Sequence, residues 1–508
     1  MVVPVIGAVV PSRAAFHLHL LCGFFGLASF VWGFNIGILA TVLVHPGFKK
    51  ALNKPDASHT GLITAIYYLG TWISYLFLSH PAADYLGRRW AAFIGVFVTL
   101  GGSSLQAGAR GTATEAYAMM IIGRIICGLG IAVVSTSVPL YQSEVAPAKE
   151  RGRYVVMNHI GLVAGIAWAF WVGYWFSAWT TADGNYYGWR LSILVQLIPG
   201  LIFLIGVPFL PETPRWLAEK GKFDQAQTSL AYLRDADRDS DIVQVEFEEI
   251  RLSIEAHRAA PESSWTALFT HRPLFARLWR AALLQFMAQM CGNTAMKYYL
   301  PTIFSSLGIE HRLTLLISGI ESTLKIGCTI IEMFIIDKVG RRTTLIVGCV
   351  VMSAALLING ALPLSYPKNV NHSADYACIV FIFFYTFGYS VGFGPASWIF
   401  PTNLRARGLN IAASGGAIGS IIATETWPVG IANIGSKTYF IFMSFNIVSA
   451  VIIFFAYPET KRRSLEEMDD LFGDHRSTRN LIHEAGDIAS EGQAEQVLVN
   501  PKGDRDSV

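Results

Sequence analysis

Twelve stretches of about twenty mostly apolar residues constrain this chain more than anything else in it. They lie near residues 18–43, 61–80, 91–108, 117–139, 154–178, 189–210, 279–304, 313–336, 343–365, 376–400, 408–432 and 438–457. A helix rises ~1.5 Å per residue, so about twenty such residues cross the ~30 Å hydrocarbon core of a bilayer. Inside lipid every backbone polar group needs a partner from the protein, which a helix supplies within itself. The pattern predicts an all-α membrane protein with twelve transmembrane helices. Composition agrees: 53% of the residues are hydrophobic and 15% charged, too little charge to cover a soluble protein of this length. A net charge of +3 gives no reason to expect a nucleic-acid partner. The six cysteines, Cys22, Cys127, Cys291, Cys328, Cys349 and Cys378, all fall in the apolar stretches without C-x-x-C spacing. They read as small buried side chains rather than disulfides or metal ligands. The first 17 residues lack the n-region and cleavage pattern of a signal peptide.

One hexapeptide is written twice. Asp84-Tyr85-Leu86-Gly87-Arg88-Arg89 and Asp337-Lys338-Val339-Gly340-Arg341-Arg342 both read D-x-x-G-R-R, and each sits between two long apolar stretches. One copy would be weak. Two copies, one in each half of the hydropathy pattern, indicate the internal repeat from which transporters are built. Basic residues between spans lie in water, and positive-inside bias places that water in the cytosol. Lys49, Lys50 and Lys54 follow the first span on the other side and run against that bias, but the repeated motifs outweigh them. The expected layout is a cytosolic N-terminus (1–17), a six-helix bundle (18–210), a cytosolic helical linker (211–278), a second, pseudo-symmetric six-helix bundle (279–457) and a cytosolic tail (458–508). Both termini are then cytosolic, in a multi-pass protein of the plasma membrane.

From about Leu18 to Asp469 the chain resembles the sugar porter branch of the major facilitator superfamily, in its fungal sugar-transporter form. Besides the repeats, the resemblance rests on Gly123-Arg124 with Gly128, Gly130 and Pro139, on Glu144 through Arg151-Gly152, and on Pro211-Glu212-Thr213-Pro214-Arg215-Trp216-Leu217. Gly394-Pro395 with Trp398 and Pro458-Glu459-Thr460-Lys461 complete it. The resemblance implies the major facilitator fold and alternating access for a sugar at the interface of two bundles, with no cofactor and no enzymatic step. It also implies a gating network of ion pairs, here Asp84, Arg88, Arg89, Arg124, Glu144, Arg151, Glu212, Arg215, Asp337, Arg341, Arg342 and Glu459.

The same resemblance points to substrate contacts at Asn35, His159, Gln289, Asn293, Thr294, Lys325 and Trp398. Proton-moving sugar porters carry Asp at the place of Asn35. An amide cannot titrate, so the first span is expected to be uncoupled; the alternative is an interhelical hydrogen bond. His159 stands where the family usually has Gln, and a proton-coupled sugar or sugar-acid symporter stays open if His159 binds the proton instead. Gln289 and Trp398 suit a sugar, which needs directed hydrogen bonds and a flat aromatic face. Lys325 replaces a neutral amide. Either it selects a carboxylate-bearing substrate, or Glu321, four residues earlier on the same helix face, neutralises it.

The remainder is less specific. Residues 211–278 carry helical periodicity at Phe223, Ala226, Leu230 and Leu233, and again at Val243, Phe247, Ile250 and Ile254. No phosphate loop, metal-ligand spacing or nucleophile–base set occurs there. Asn371-His372-Ser373 is a glycosylation sequon. Between Trp398 and Phe400 about five residues of the family pattern are missing together with its acid, more than one ~3.6-residue helical turn. That deletion keeps a third reading open, a non-transporting sugar sensor on the same scaffold. The acidic tail is expected to be disordered beyond 464–471.

Overall fold

A computed structural model describes residues 12–147, 151–259, 270, 272–366, 372–393 and 405–459. The side chains of Arg151 and Asp337, and all of Asn371, Trp398, the 394–404 segment and the 460–508 tail, lie outside the described residues. Helices account for the regular structure, and no strand occurs among the described residues.

The first six spans are Ser12–Val44, Ala57–Phe77, Arg88–Ala107, Ala113–Val145, Arg151–Phe176 and Ala182–Phe209. The second bends by 56° into Ser79–Leu86. The seventh covers 272–306 in two pieces, Arg272–Ala288 and Thr294–Ser306. His311–Val339, Arg341–Ser365, His372–Phe393, Arg405–Ile434 and Thr438–Ala456 follow. Among the described residues nine helices pass on length and apolarity alone, or ten with the bent pair. One of these, Gly408–Ala456, is 49 residues long and holds two helices joined at Gly435–Lys437. The seventh is not among them; it is broken at Gln289–Asn293 and carries Arg277, Arg280 and Lys297. The chain thus has the twelve-helix fold.

Packing divides the spans into two bundles. In the first half the first span packs on the fifth, and the fourth on the second and third. In the second half the ninth packs on the tenth and twelfth, and the seventh on the eleventh. Across the halves, the second meets the eleventh, the fifth meets the eighth, and the first meets the outer piece of the seventh. The first and fifth spans touch backbone to backbone: a Cβ on Gly33 would stand 1.8 Å from the carbonyl oxygen of Leu162, and one on Gly165 2.1 Å from that of Phe30. Small residues permit this approach, which in lipid replaces the hydrophobic driving force between helices.

The two D-x-x-G-R-R turns lie on one side of the membrane domain, called here the motif side. Gly87 (φ +94°) and Gly340 (φ +106°) each open the following helix from a left-handed backbone. On the same side Pro214–Glu219, Phe223–Arg234 and Asp241–Ala259 form a small bundle. Ala226, Leu230, Val243, Phe247 and Ile254 make its core as the periodicity predicts, joined by Trp216 and Leu217, whereas Phe223 is exposed and Leu233 packs against the membrane spans. Arg234 ties it to the fourth span through the carbonyl of Val145 at 3.1 Å.

Candidate substrate site and gates

Asn35 and Arg124 form the centre of the first bundle. Arg124, 1% exposed, donates to Oδ1 of Asn35 at 3.0 Å, to the carbonyl of Ile63 at 3.4 Å and to the Tyr298 hydroxyl at 3.1 Å. Its guanidinium also lies 4.3 Å from the centre of the Tyr67 ring, a favourable cation–π position. No carboxylate among the described residues reaches ion-pair distance of it. The other end of Asn35 is equally engaged: Nδ2 donates to Oε1 of Gln196 at 3.2 Å and to Oγ of Ser103 at 3.2 Å. The side chain therefore accepts on one face and donates on the other, which an amide can do and an ionised carboxylate cannot. Gln196 and Ser103 escaped the sequence reading. The one available signal was an amide in the apolar run 191–207.

The second bundle contributes the broken seventh span. Gly292, at φ +104°, interrupts the helix within the π turn Gln289–Asn293. The freed carbonyl of Cys291 accepts from the Tyr385 hydroxyl at 3.2 Å and from Nδ2 of Asn446 at 2.9 Å. Those two bonds re-satisfy the backbone in lipid. Around the break, Thr294 bonds Gln289 and Ser420. Lys325, on the eighth span, donates to Oδ1 of Asn293 at 3.5 Å. Its ammonium lies 5.3 Å from the centre of the Tyr389 ring, and that of Lys297 lies 6.0 Å from the same ring. Glu321 does not close an ion pair with Lys325; its carboxylate accepts instead from Thr386 of the tenth span and from Ser322. His159, half-buried on the fifth span, faces both lysines from the other bundle within electrostatic range. Of the expected substrate residues, Trp398 alone lies outside the described residues. Tyr389 went unremarked in the sequence because one tyrosine among nineteen carries no signal by itself.

Polar contacts join the bundles on both sides of the interface. Away from the motif side, the Tyr299 hydroxyl bonds Oγ1 of Thr64 in the other bundle at 2.7 Å and donates to the carbonyl of Thr424 within its own at 3.0 Å. The Trp171 indole donates to Oγ1 of Thr323 at 2.9 Å. Nearer the motif side, Thr136 donates to Oδ1 of Asn410 at 2.6 Å.

The two motifs are built alike. Arg88 pairs with Glu144 at 3.0 Å, Glu219 at 3.7 Å and Asp84 at 3.8 Å, while Arg215 pairs with Glu219 at 3.5 Å. Glu212 and Glu459 both accept from backbone N–H groups of the arginine turns. Glu212 accepts from the N–H of Arg89 at 3.1 Å, and Glu459 from the N–H groups of Arg341 and Arg342, both at 3.1 Å. Each carboxylate thus sits at a helix N-terminus, where the orphan N–H groups and the dipole favour an anion. Arg89 and Arg342 reach across to the carbonyls of Leu210 and Phe454. Burial pushes the Glu212 carboxyl up to about 7, against the pull of its two backbone N–H donors. Glu219 moves upward for the same first reason, with Glu144 adding to it.

Comparison with known proteins now decides the family. The profile described as "Sugar (and other) transporter" matches residues 21–472. The chain belongs to the sugar transporter family. As a sugar transporter it is a multi-pass membrane protein and not an enzyme, and its relatives carry transporter names. "MFS-type transporter criB" of Aspergillus cristatus is 31% identical, over 93% of this chain and 97% of that protein. The "High-affinity glucose transporter" of Kluyveromyces lactis is 29% identical over 94% and 89%. A "Probable quinate permease" of Neosartorya fischeri is 29% identical over 90% and 87%. In fold, this sugar transporter resembles the xylose transporter XylE of E. coli in a partially occluded inward-open state. The TM-score is 0.74 at 22% identity, covering 89% of this chain and 100% of XylE.

Proposed function

We propose that this transporter moves a polyhydroxylated small molecule by alternating access and carries no proton at its first-span site. The observation behind this reading is the Asn35 amide. Its oxygen is held by Arg124 and its nitrogen by Gln196 and Ser103, so the position has no proton to give or take between about pH 4 and 10. Arg124 is held in this conformation by neutral acceptors and an aromatic face. The names of relatives, for glucose and for quinate, share a hydroxylated ring. Such a ring needs several directed hydrogen bonds, and the broken seventh span supplies amides at Gln289 and Asn293. Positive-inside bias assigns the motif side, the linker and both termini to the cytosol of a plasma-membrane protein. The two bundles are taken as 18–210 and 279–457, which the packing of the first span on the fifth and of the ninth on the tenth and twelfth supports.

Entrance counterflow tests the reading. Proteoliposomes loaded with excess unlabelled substrate, at one pH on both sides, should take up labelled substrate in a transient overshoot. Uptake that requires an imposed pH gradient contradicts it. Saturable binding without exchange would instead mark a sensor.

A further inference from the structure

The seventh and eighth spans bring together three nitrogen donors, and the one acceptor among their partners is a neutral amide oxygen. Lys297 and Lys325 share the Tyr389 ring, and neither has a carboxylate at ion-pair distance among the described residues. The nearest acid in sequence, Glu321, is occupied by Thr386 and Ser322. Asn293, 1% exposed, presents Oδ1 to Lys325 because an ammonium can only donate. That orientation turns Nδ2 the other way, and this atom has no hydrogen-bond partner among the described residues. The ammonium of Lys325 therefore has one neutral acceptor, and the buried amide N–H₂ of Asn293 has none. A neutral sugar hydroxyl satisfies one such donor at a time. A carboxylate, with two oxygens and about four lone pairs, satisfies all three.

We propose that Lys297, Lys325 and Nδ2 of Asn293 form a carboxylate site, so that the substrate is a hydroxylated carboxylic acid such as a uronate, an aldonate or a ring acid, and not a neutral sugar. This rests on the transport reading only in placing the site on the substrate's path. A separate feature fits the same chemistry. Beyond the first span, on the side away from the motifs, the exposed Lys49, Lys50 and Lys54 line a cavity of about 590 Å³ with Phe48, Pro55 and Thr60. A basic patch on that side raises the local concentration of anions, and Asp56, beside it, is engaged by His59.

Thermal stabilisation of the purified full-length protein tests the site independently of transport. D-gluconate, D-galacturonate and quinate are compared with the neutral partners D-glucitol, D-galactose and myo-inositol. The acids should stabilise at concentrations at least about tenfold lower. Lys325→Gln and Lys297→Met should each weaken acids by about ten- to a hundredfold, the range for a hydrogen bond to a charged group, and weaken the neutral compounds far less. Should either lysine variant fail to fold, Asn293→Asp serves instead. It supplies Lys325 with an internal carboxylate, so it should keep or raise the melting temperature while abolishing acid binding. Equal binding of acids and neutral partners, or equal losses for both in the variants, would overturn the proposal. Acid-selective binding in a protein that shows no counterflow would uphold this site and count against the transport reading.

Discussion

Arg124 donates to Oδ1 of Asn35 at 3.0 Å, so the buried cation of the fourth span is bound to the first span through a neutral acceptor. A charge in this setting is costly. Here the cost is offset without a carboxylate, by the carbonyl of Ile63, the Tyr298 hydroxyl and the ring of Tyr67. Since Tyr298 belongs to the seventh span, the same cation also links the bundles.

Arg124→Met should be destabilising. It leaves Oδ1 of Asn35 buried without its donor, a loss of about 1–3 kcal/mol, and frees the bundles on the side away from the motifs. A lower melting temperature in detergent checks the first effect. Faster cysteine labelling at a residue such as Thr64→Cys checks the second. Arg124→Lys should rescue little, because one ammonium cannot reach three acceptors and stack on a ring.

The paired motif turns predict paired effects. A Cβ on Gly87 would stand 2.4 Å from Oε2 of Glu212, and one on Gly340 2.8 Å from Oε2 of Glu459, both on left-handed backbone. Gly87→Ala and Gly340→Ala should each cost about 1–3 kcal/mol, from the strained backbone and the displaced helix cap. Both should increase labelling of cysteines placed on the motif side. If only one does so, the two turns are not equivalent.

Much of this was legible in the sequence, and the limits have physical causes. The repeat, the twelve spans and the linker helices follow from periodicity and length, because lipid leaves the backbone few choices. Arg124 and Lys325 were visible as charges in apolar runs. Their partners were not: whether Glu321 turns to Lys325, four residues on, or to Thr386, on another span, depends on packing between helices. Glu212 and Glu459 were read within an ion-pair network. Spacing does not show that both also cap a helix, accepting from the backbone N–H groups of the arginine turns.

Glu212 makes the motif side sensitive to acidity. Its folded-state value of about 7 stands above the ordinary 4.5, so the folded protein holds this proton more tightly than the unfolded chain does. The contribution to stability is fully present below about pH 4.5, declines as pH rises towards 7, and is flat above. Glu219 shifts in the same direction, so the difference between the wild-type protein and Glu212→Gln isolates Glu212. Melting temperatures from pH 4.5 to 7.5 should fall more steeply for the wild type. Parallel curves would remove Glu212 from the account.

The central claim is that substrate crosses without a proton at Asn35. Its most direct test is substrate uptake by proteoliposomes enclosing a pH dye, with the membrane potential clamped by potassium and valinomycin. The account predicts uptake that stops at the external concentration, unaffected by a protonophore, with no change of internal pH. Accumulation above the external level that collapses on adding the protonophore, accompanied by acidification of the interior, would contradict it.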